Sequence, residues 1–267
     1  MKTIIKLFFA LGLIIQTMMA VAQNEFTIPL SDPNKRGKLS AHLNSGSITV
    51  KGTARKDVLV KYTSANEKEE KHNSKDGLKR ISGGSVDLSG TETDNTVKVS
   101  SDSWNEELTL EIEVPMGFDV KMHTYNSGDL TISNVQGEID LTNYNGGIKA
   151  TNIKGSVVAS TFNDDIIVTF DEVKDGVPMA FSTYNGNVDI TFPPAVKATM
   201  KFKTDQGDIY SGFDMDIKST GPVKKEDAKS GVYKVVVNEW KSGNINGGGA
   251  EMTCKTYNGD IYVRKKQ

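Results

Sequence analysis

The chain has 267 residues, with 32 basic against 34 acidic side chains and a formal net charge of -2, so it offers no strongly basic surface for nucleic acid. Its single cysteine, Cys254, excludes an intramolecular disulfide framework. Stability has to come from packing and backbone hydrogen bonds.

Residues 1–22 place Lys2 and Lys6 ahead of an apolar run from Leu7 to Ile15 and finish in Ala20-Val21-Ala22, the pattern of a cleaved signal peptide. The run is shorter than the about 20 residues that a membrane span needs, and no second apolar stretch follows. The mature chain is therefore expected to be exported, with no membrane span after signal cleavage. If cleavage falls after Ala22, the next residue is Gln23 and not Cys, so a lipid anchor is not indicated. Removing residues 1–22 leaves 245 residues with 30 basic and 34 acidic side chains, a net charge of -4, which is ample for one elongated β domain.

Residues 23–114 read as β-rich but irregular. "KDVLVKYTS", "GGSVDLSG", "NTVKVSS" and "ELTLEIEVPMGFDVKM" alternate apolar and polar residues between Gly, Pro and Asn, the signature of half-buried strands. The charged stretch from Glu67 to Lys79 lacks period and reads as a solvated loop or hairpin tip. A weak seam near Pro115 separates this part from residues 115–267, where the strands become repeats.

Aligned on a small turn residue, nine segments carry apolar pairs two residues apart: Ile48/Val50, Leu130/Ile132, Ile139/Leu141, Ile148/Ala150, Val157/Ala159, Ile166/Val168, Val188/Ile190, Ile209/Ser211 and Ile261/Val263. Only Ser211 breaks the apolar rule. Spacing by two puts each pair on one face of a strand. The turn residues Gly128, Gly137, Gly146, Gly155 and Asp164 recur every nine residues, and alternate turns carry an aromatic and an Asn. The unit is thus a pair of strands of about 18 residues, close to the range of repeat architectures. The expected fold is all-β: a single-stranded β-helix or β-solenoid of short repeats, right-handed by the usual preference, with a less regular N-terminal part and one continuous domain. The stretch from Lys218 to Ser242 interrupts the repeat, as an extra hairpin or a cap.

Asn-Gly tolerates positive φ and marks tight turns. In a solenoid, equivalent corners stack at about 4.8 Å, which predicts an asparagine ladder from Asn126, Asn145, Asn163, Asn185 and Asn258 and an outward aromatic ladder from Tyr125, Tyr144, Phe162, Tyr184 and Tyr257. Parity puts Thr124, Asn143, Thr161 and Thr256 inside, together with Cys254. The aromatic ladder is a candidate surface for sugars or proteins, and equally a device that stabilises the corners. One residue beyond the turn slot stand Asp129, Glu138, Asp165, Asp208 and Asp260. They read first as a solvated face, or else as a weak calcium or glycan site, with the adjacent Asp164 and Asp165 as the best local acidic patch. His42, His72 and His123 have no second His or Cys at ligand spacing, which argues against zinc. Nucleophile elbows, phosphate loops and paired-Cys motifs are missing. No cofactor is expected.

"LNSGSITVKGTARKDVLVKY", "LTLEIEVPMGFDVKMHTYNSGDLTI" and "GGGAEMTCKTYNGDIYV" resemble a bacterial adhesin-like family of β-strand-repeat proteins, a domain of unknown function similar to the head GIN domain auto-transporter adhesins found in Bacteroidota. The resemblance runs from about Leu39 to Val263. It implies a β-helix-like fold and export, and it brings no agreed functional residues. Together with the residue reading it points to an exported, non-enzymatic, adhesin-like module of the surface or envelope, with glycans or proteins of the cell surface or matrix as partners. The alternatives are a periplasmic envelope accessory protein and a glycan-cleaving β-helix enzyme, which would need an acid and base pair in one groove.

Overall fold

The computed structural model describes residues 24–65, 86–219 and 240–267, together with the strand segments 74–75, 78–79, 223–227 and 232–236. The expected signal peptide lies outside the described residues, as does most of the charged stretch 67–79 and part of the 218–242 interruption. The first strands are β1 (Asn24–Pro29), β2 (Lys38–Thr53), β3 (Asp57–Ser64), β4 (Ser74–Lys75), β5 (Leu78–Lys79), β6 (Ser89–Thr93), β7 (Thr96–Ser101) and β8 (Leu108–Pro115). The regular stretch holds β9 (Asp119–Asn126), β10 (Leu130–Ser133), β11 (Glu138–Asn143), β12 (Ile148–Ser160), β13 (Ile166–Val173), β14 (Met179–Ser182), β15 (Val188–Phe192), β16 (Ala198–Lys203) and β17 (Ile209–Ser211). Then come β18 (Lys218–Ser219), β19 (Val223–Asp227), β20 (Val232–Val236), β21 (Lys241–Ile245), β22 (Ala250–Lys255) and β23 (Ile261–Lys265).

The architecture is all-β and solenoid-like. One sheet has the order β1-β3-β8-β2-β10-β12-β13-β15-β23-β17, parallel from β8 onward. The other runs β6-β7-β2-β9-β11-β12-β14-β22-β16-β21-β18, parallel from β7 to β16. The long strands β2 and β12 bend and belong to both, so the chain passes from one sheet to the other at each corner and every passage adds a rung. Antiparallel strands flank both ends of the second sheet and the N-terminal end of the first.

Between the sheets lies one apolar core that runs from Ile28 to Val263. The apolar pairs read from the sequence face it: Leu130, Ile132, Ile148, Ala150, Ile166, Val168, Val188, Ile190, Ile261 and Val263 are all buried. Each such Val, Leu or Ile contributes about 1.5–3 kcal/mol by leaving water. Phe170 and Phe192 stack within it, 5.3 Å apart. At β17 the pair fails, because this is the outermost rung of its sheet: Ile209 is half-buried and Ser211 exposed.

The order of the rungs departs from the order of the chain at both ends. The β2 rung sits between those of β7–β8 and β9–β10. Likewise the last rung, β22–β23, lies between β14–β15 and β16–β17. The terminal repeat of the sequence is therefore an interior layer of the stack.

Candidate functional site

One corner of the stack carries the repeated Thr-aromatic-Asn-turn motif, and each of its residues has a separate task. The threonine enters the core and donates its hydroxyl to the turn carbonyl one rung away: Thr124 Oγ1 to Gly46 O (2.9 Å), Thr161 to Gly146 (2.8 Å), Thr183 to Asp164 (2.9 Å) and Thr256 to Gly186 (2.8 Å), and the half-buried Thr204, whose corner reads Thr-Asp-Gln-Gly, does the same to Gly259 (2.9 Å). Buried carbonyls need such donors. In the β11 rung Asn143 replaces the threonine and donates to Gly128 O (2.9 Å), while its own Oδ1 is buried without a partner.

The turn residue must let the neighbouring rung's backbone come close. A Cβ on Gly186 would run into the carbonyl oxygen of Asp164, and one on Gly259 into that of Gly186. Asp164 holds the equivalent slot at φ 94 and turns its Oδ1 to the Asp165 N–H (2.7 Å).

Between these two positions stand the asparagine and the aromatic. Asn163 Nδ2 donates to Asn145 Oδ1 (2.9 Å), Asn185 to Asn163 (2.9 Å) and Asn258 to Asn185 (2.8 Å). Asn126 stands outside this ladder. Its corner, "YNSG", holds one residue more than the others, and Ser127, at φ 53, displaces the asparagine from line.

The aromatics Tyr125, Tyr144, Phe162, Tyr184 and Tyr257 form a continuous stack on the outside. Their ring centroids are 4.8, 5.0, 4.8 and 4.8 Å apart, and the planes of neighbours lie within 7°. Trp104, from the loop between β7 and β8, packs edge-on against Tyr125 at 5.4 Å and 79°. All six rings are exposed, from 37% at Tyr257 to 58% at Trp104. Because the inner ring faces cover one another, the rail presents ring edges and phenolic hydroxyls to solvent. The next strand position inward on the same face holds Thr142, Ser160 and Ser182 in register, with His123 at one end and Lys255 at the other. A line of aromatic edges thus runs beside a line of small hydroxyls.

On the other side of the rail, the polar positions beyond the turn cap backbone N–H groups of the neighbouring rung. Gly147 N donates to Asp129 Oδ1 (2.9 Å), Asn187 N to Asp165 Oδ1 (2.6 Å), Asp260 N to Asn187 Oδ1 (2.8 Å) and Asp208 N to Asp260 Oδ1 (2.8 Å). The hydrogen bond from the Asp208 N–H, with a second from the Tyr262 hydroxyl (2.8 Å), holds the Asp260 carboxyl below the usual range. Glu138 belongs to the opposite corner, where it pairs with Lys174 (2.9 Å). There Asp119 pairs with Arg36: burial opposes its ionisation, but the guanidinium and the Glu138 N–H outweigh it and keep the carboxyl low. Asp164 and Asp165, adjacent in sequence, are thus engaged in turn and rung contacts. Among the described residues no three His, Cys, Asp or Glu side chains are preassembled around a common point that could hold an ion.

Cys254 is fully buried, and burial pushes its thiol up to about 12, which keeps it inert at neutral pH. Two features escaped the sequence reading. Trp104 lies outside any repeat, and His42 and His123, unrelated in local spacing, are neighbours on β2 and β9 with ring centroids 5.0 Å apart.

A family model described as Toastrack DUF4097 matches residues 12–247. No curated protein matches the chain. A crystal structure of a candidate cell adhesion protein from Clostridium sporogenes aligns over 91% of this chain and 100% of that one, with 14% identity and a TM-score of 0.49.

Proposed function

We propose that the protein, which belongs to the Toastrack DUF4097 family, is an exported, non-enzymatic, adhesin-like interaction module of the cell surface or envelope, wound as a right-handed solenoid. The observation that carries this reading is the rail of six exposed aromatic rings along one corner. Contiguous exposed apolar strips of this kind mark contact surfaces, and Tyr and Trp anchor interfaces because they bring large area with few rotatable bonds. The rail sits on a parallel stack, so its geometry is set before any partner arrives and little ordering is needed on binding.

The chemistry of the rail narrows the partner. With ring faces covered, it contacts by edges and hydroxyls, and the row of Thr142, Ser160 and Ser182 adds hydrogen-bonding capacity alongside. The partner is an extended glycan or a protein segment of the cell surface or matrix, held by hydrogen bonds and edge contacts in a line. A net charge of -4 after signal removal gives nucleic acid no reason to bind. Glycan cleavage is disfavoured because Asp129, Asp165 and Asp260 each commit a carboxylate oxygen to a backbone N–H of a neighbouring rung, whereas general acid and base work needs a pair aimed at substrate.

Protease applied to intact cells of the source organism, followed by immunodetection, tests the placement. Digestion on intact cells supports the adhesin-like role. Survival until the outer membrane is breached replaces it with a periplasmic accessory role.

A further inference from the structure

We propose that Asn145 is a self-modification site of the folded chain, where the backbone nitrogen of Gly146 displaces the side-chain amide and the asparagine becomes aspartate or isoaspartate. The sequence holds four Asn-Gly pairs: Asn145-Gly146, Asn185-Gly186, Asn246-Gly247 and Asn258-Gly259. Glycine has no Cβ to obstruct the approach of its nitrogen, so all four are competent by sequence. The folded structure holds three of them back and leaves one free to react.

At Asn185 and Asn258 both reacting groups are tied down. Asn185 Nδ2 donates to Asn163 Oδ1 (2.9 Å) and Asn258 Nδ2 to Asn185 Oδ1 (2.8 Å). The glycine nitrogens are engaged as well: Gly186 N donates to Asn258 O and Gly259 N to Gln206 O, each at 2.9 Å. Asn246, in the turn between β21 and β22, is held by other partners. Its Nδ2 donates to Pro194 O (3.0 Å) and Val196 O (2.8 Å), with its backbone at φ 49. Asn145 ends the asparagine ladder and enters it only as an acceptor, through Oδ1. By analogy its Gly146 N–H would be held by Asn163 O, but that carbonyl accepts the Thr161 hydroxyl (3.0 Å). Among the described residues Gly146 N donates to no backbone carbonyl. Gly146 also lies outside the positive φ range that Gly186 and Gly259 occupy, so this corner is turned differently. Asn145 is exposed, whereas Asn185 and Asn258 are half-buried, and base and water reach it.

The step balances with water alone. Gly146 N gives its proton to hydroxide and attacks Asn145 Cγ. The Cγ–Nδ2 bond breaks, and the amide nitrogen takes a proton from water and leaves as ammonia, which regenerates hydroxide and closes a five-membered succinimide. Water then opens the ring at either carbonyl, so the net change consumes one water and releases one ammonia. The Asn163 Nδ2–H on Asn145 Oδ1 (2.9 Å) draws charge from Cγ and stabilises the oxyanion as it forms. The aspartate product keeps the ladder, because a carboxylate oxygen accepts the same Asn163 N–H. At Asn185 or Asn258 the same change removes a ladder donor instead. Conversion of Asn145 therefore adds one negative charge next to Tyr144 of the rail.

Timed incubation of the full mature chain at mildly alkaline pH, followed by proteolysis at mildly acidic pH and mass spectrometry of the peptides, tests the site. Amide loss and isoaspartate are quantified at all four Asn-Gly pairs, in the folded chain and in urea. Conversion at Asn145 is expected to be about tenfold or more faster than at Asn185, Asn246 and Asn258, which must first break hydrogen bonds that Asn145 lacks. In urea the difference is largely lost. Asn145→Gln removes the fast signal and leaves the other three rates unchanged, and Asn145→Asp keeps a thermal stability close to that of the natural chain. Conversion at Asn145 no faster than at the other three pairs of the folded chain overturns the proposal, and so does a preference for Asn145 that persists undiminished in urea.

Discussion

Thr256 is completely buried and spends its hydroxyl on the Gly186 carbonyl at 2.8 Å. Thr256→Val keeps the shape and removes the donor, so a buried carbonyl loses its partner. The expected loss is about 1–3 kcal/mol, read as a lower urea midpoint. His123 responds to pH. Its imidazole titrates below the ordinary 6.5, first because of burial and then because of His42 and Lys121. As pH falls, the unfolded chain takes up that proton before the folded one. The stability contributed by neutral His123 is therefore full above 6.5 and is lost as pH falls below 6.5 toward the folded value. Urea midpoints measured from pH about 7 down to about 5 should fall less steeply for His123→Gln than for the natural chain.

At the scale of the element, each corner is a bundle of ladders whose members support one another. Tyr144 stacks on both Tyr125 and Phe162, at 4.8 and 5.0 Å. Aromatic pairs contribute about 0.5–1.5 kcal/mol each beyond their area burial, so Tyr144→Ala should cost roughly 1–3 kcal/mol, whereas Tyr144→Phe keeps both stacks and should cost little. Thermal unfolding of the two variants separates these outcomes. The outward aromatics, the inward threonines and the apolar pairs were legible in the sequence because a strand reverses its side chains with period two and Asn-Gly announces each corner. Asn126 was not, since one inserted residue, Ser127, undoes the alignment that the motif implies. The acidic positions were legible as outward residues, but their hydrogen bonds to neighbouring N–H groups depend on rung stacking, which local spacing does not encode. The same holds for His42 and His123, which meet only through the register of β2 on β9.

For the whole molecule, the sequence carries the repeat but not the order in which its turns are stacked. In a simple solenoid the last repeat touches one neighbour and frays first. Here β23 is hydrogen-bonded to both β15 and β17, and β22 to both β14 and β16, because non-local pairing is decided by the packed chain as a whole. Amide hydrogen exchange should accordingly find Ile261 and Val263 among the slowly exchanging sites despite their place near the C-terminus, and faster exchange at the outer strand β17.

The central claim is that the aromatic rail contacts a partner in addition to holding its corner together. The direct measurement is binding of the mature chain to arrays of glycans and matrix proteins, with the Tyr144→Phe/Tyr184→Phe chain beside it. Removing two phenolic hydroxyls while keeping every ring stacked is predicted to leave thermal stability nearly unchanged and to weaken capture by the arrayed partner by about tenfold or more, about 1.4 kcal/mol. Equal capture by both chains, or no capture of the natural chain by any arrayed surface, would contradict the account and leave the rail a structural feature of the corner alone.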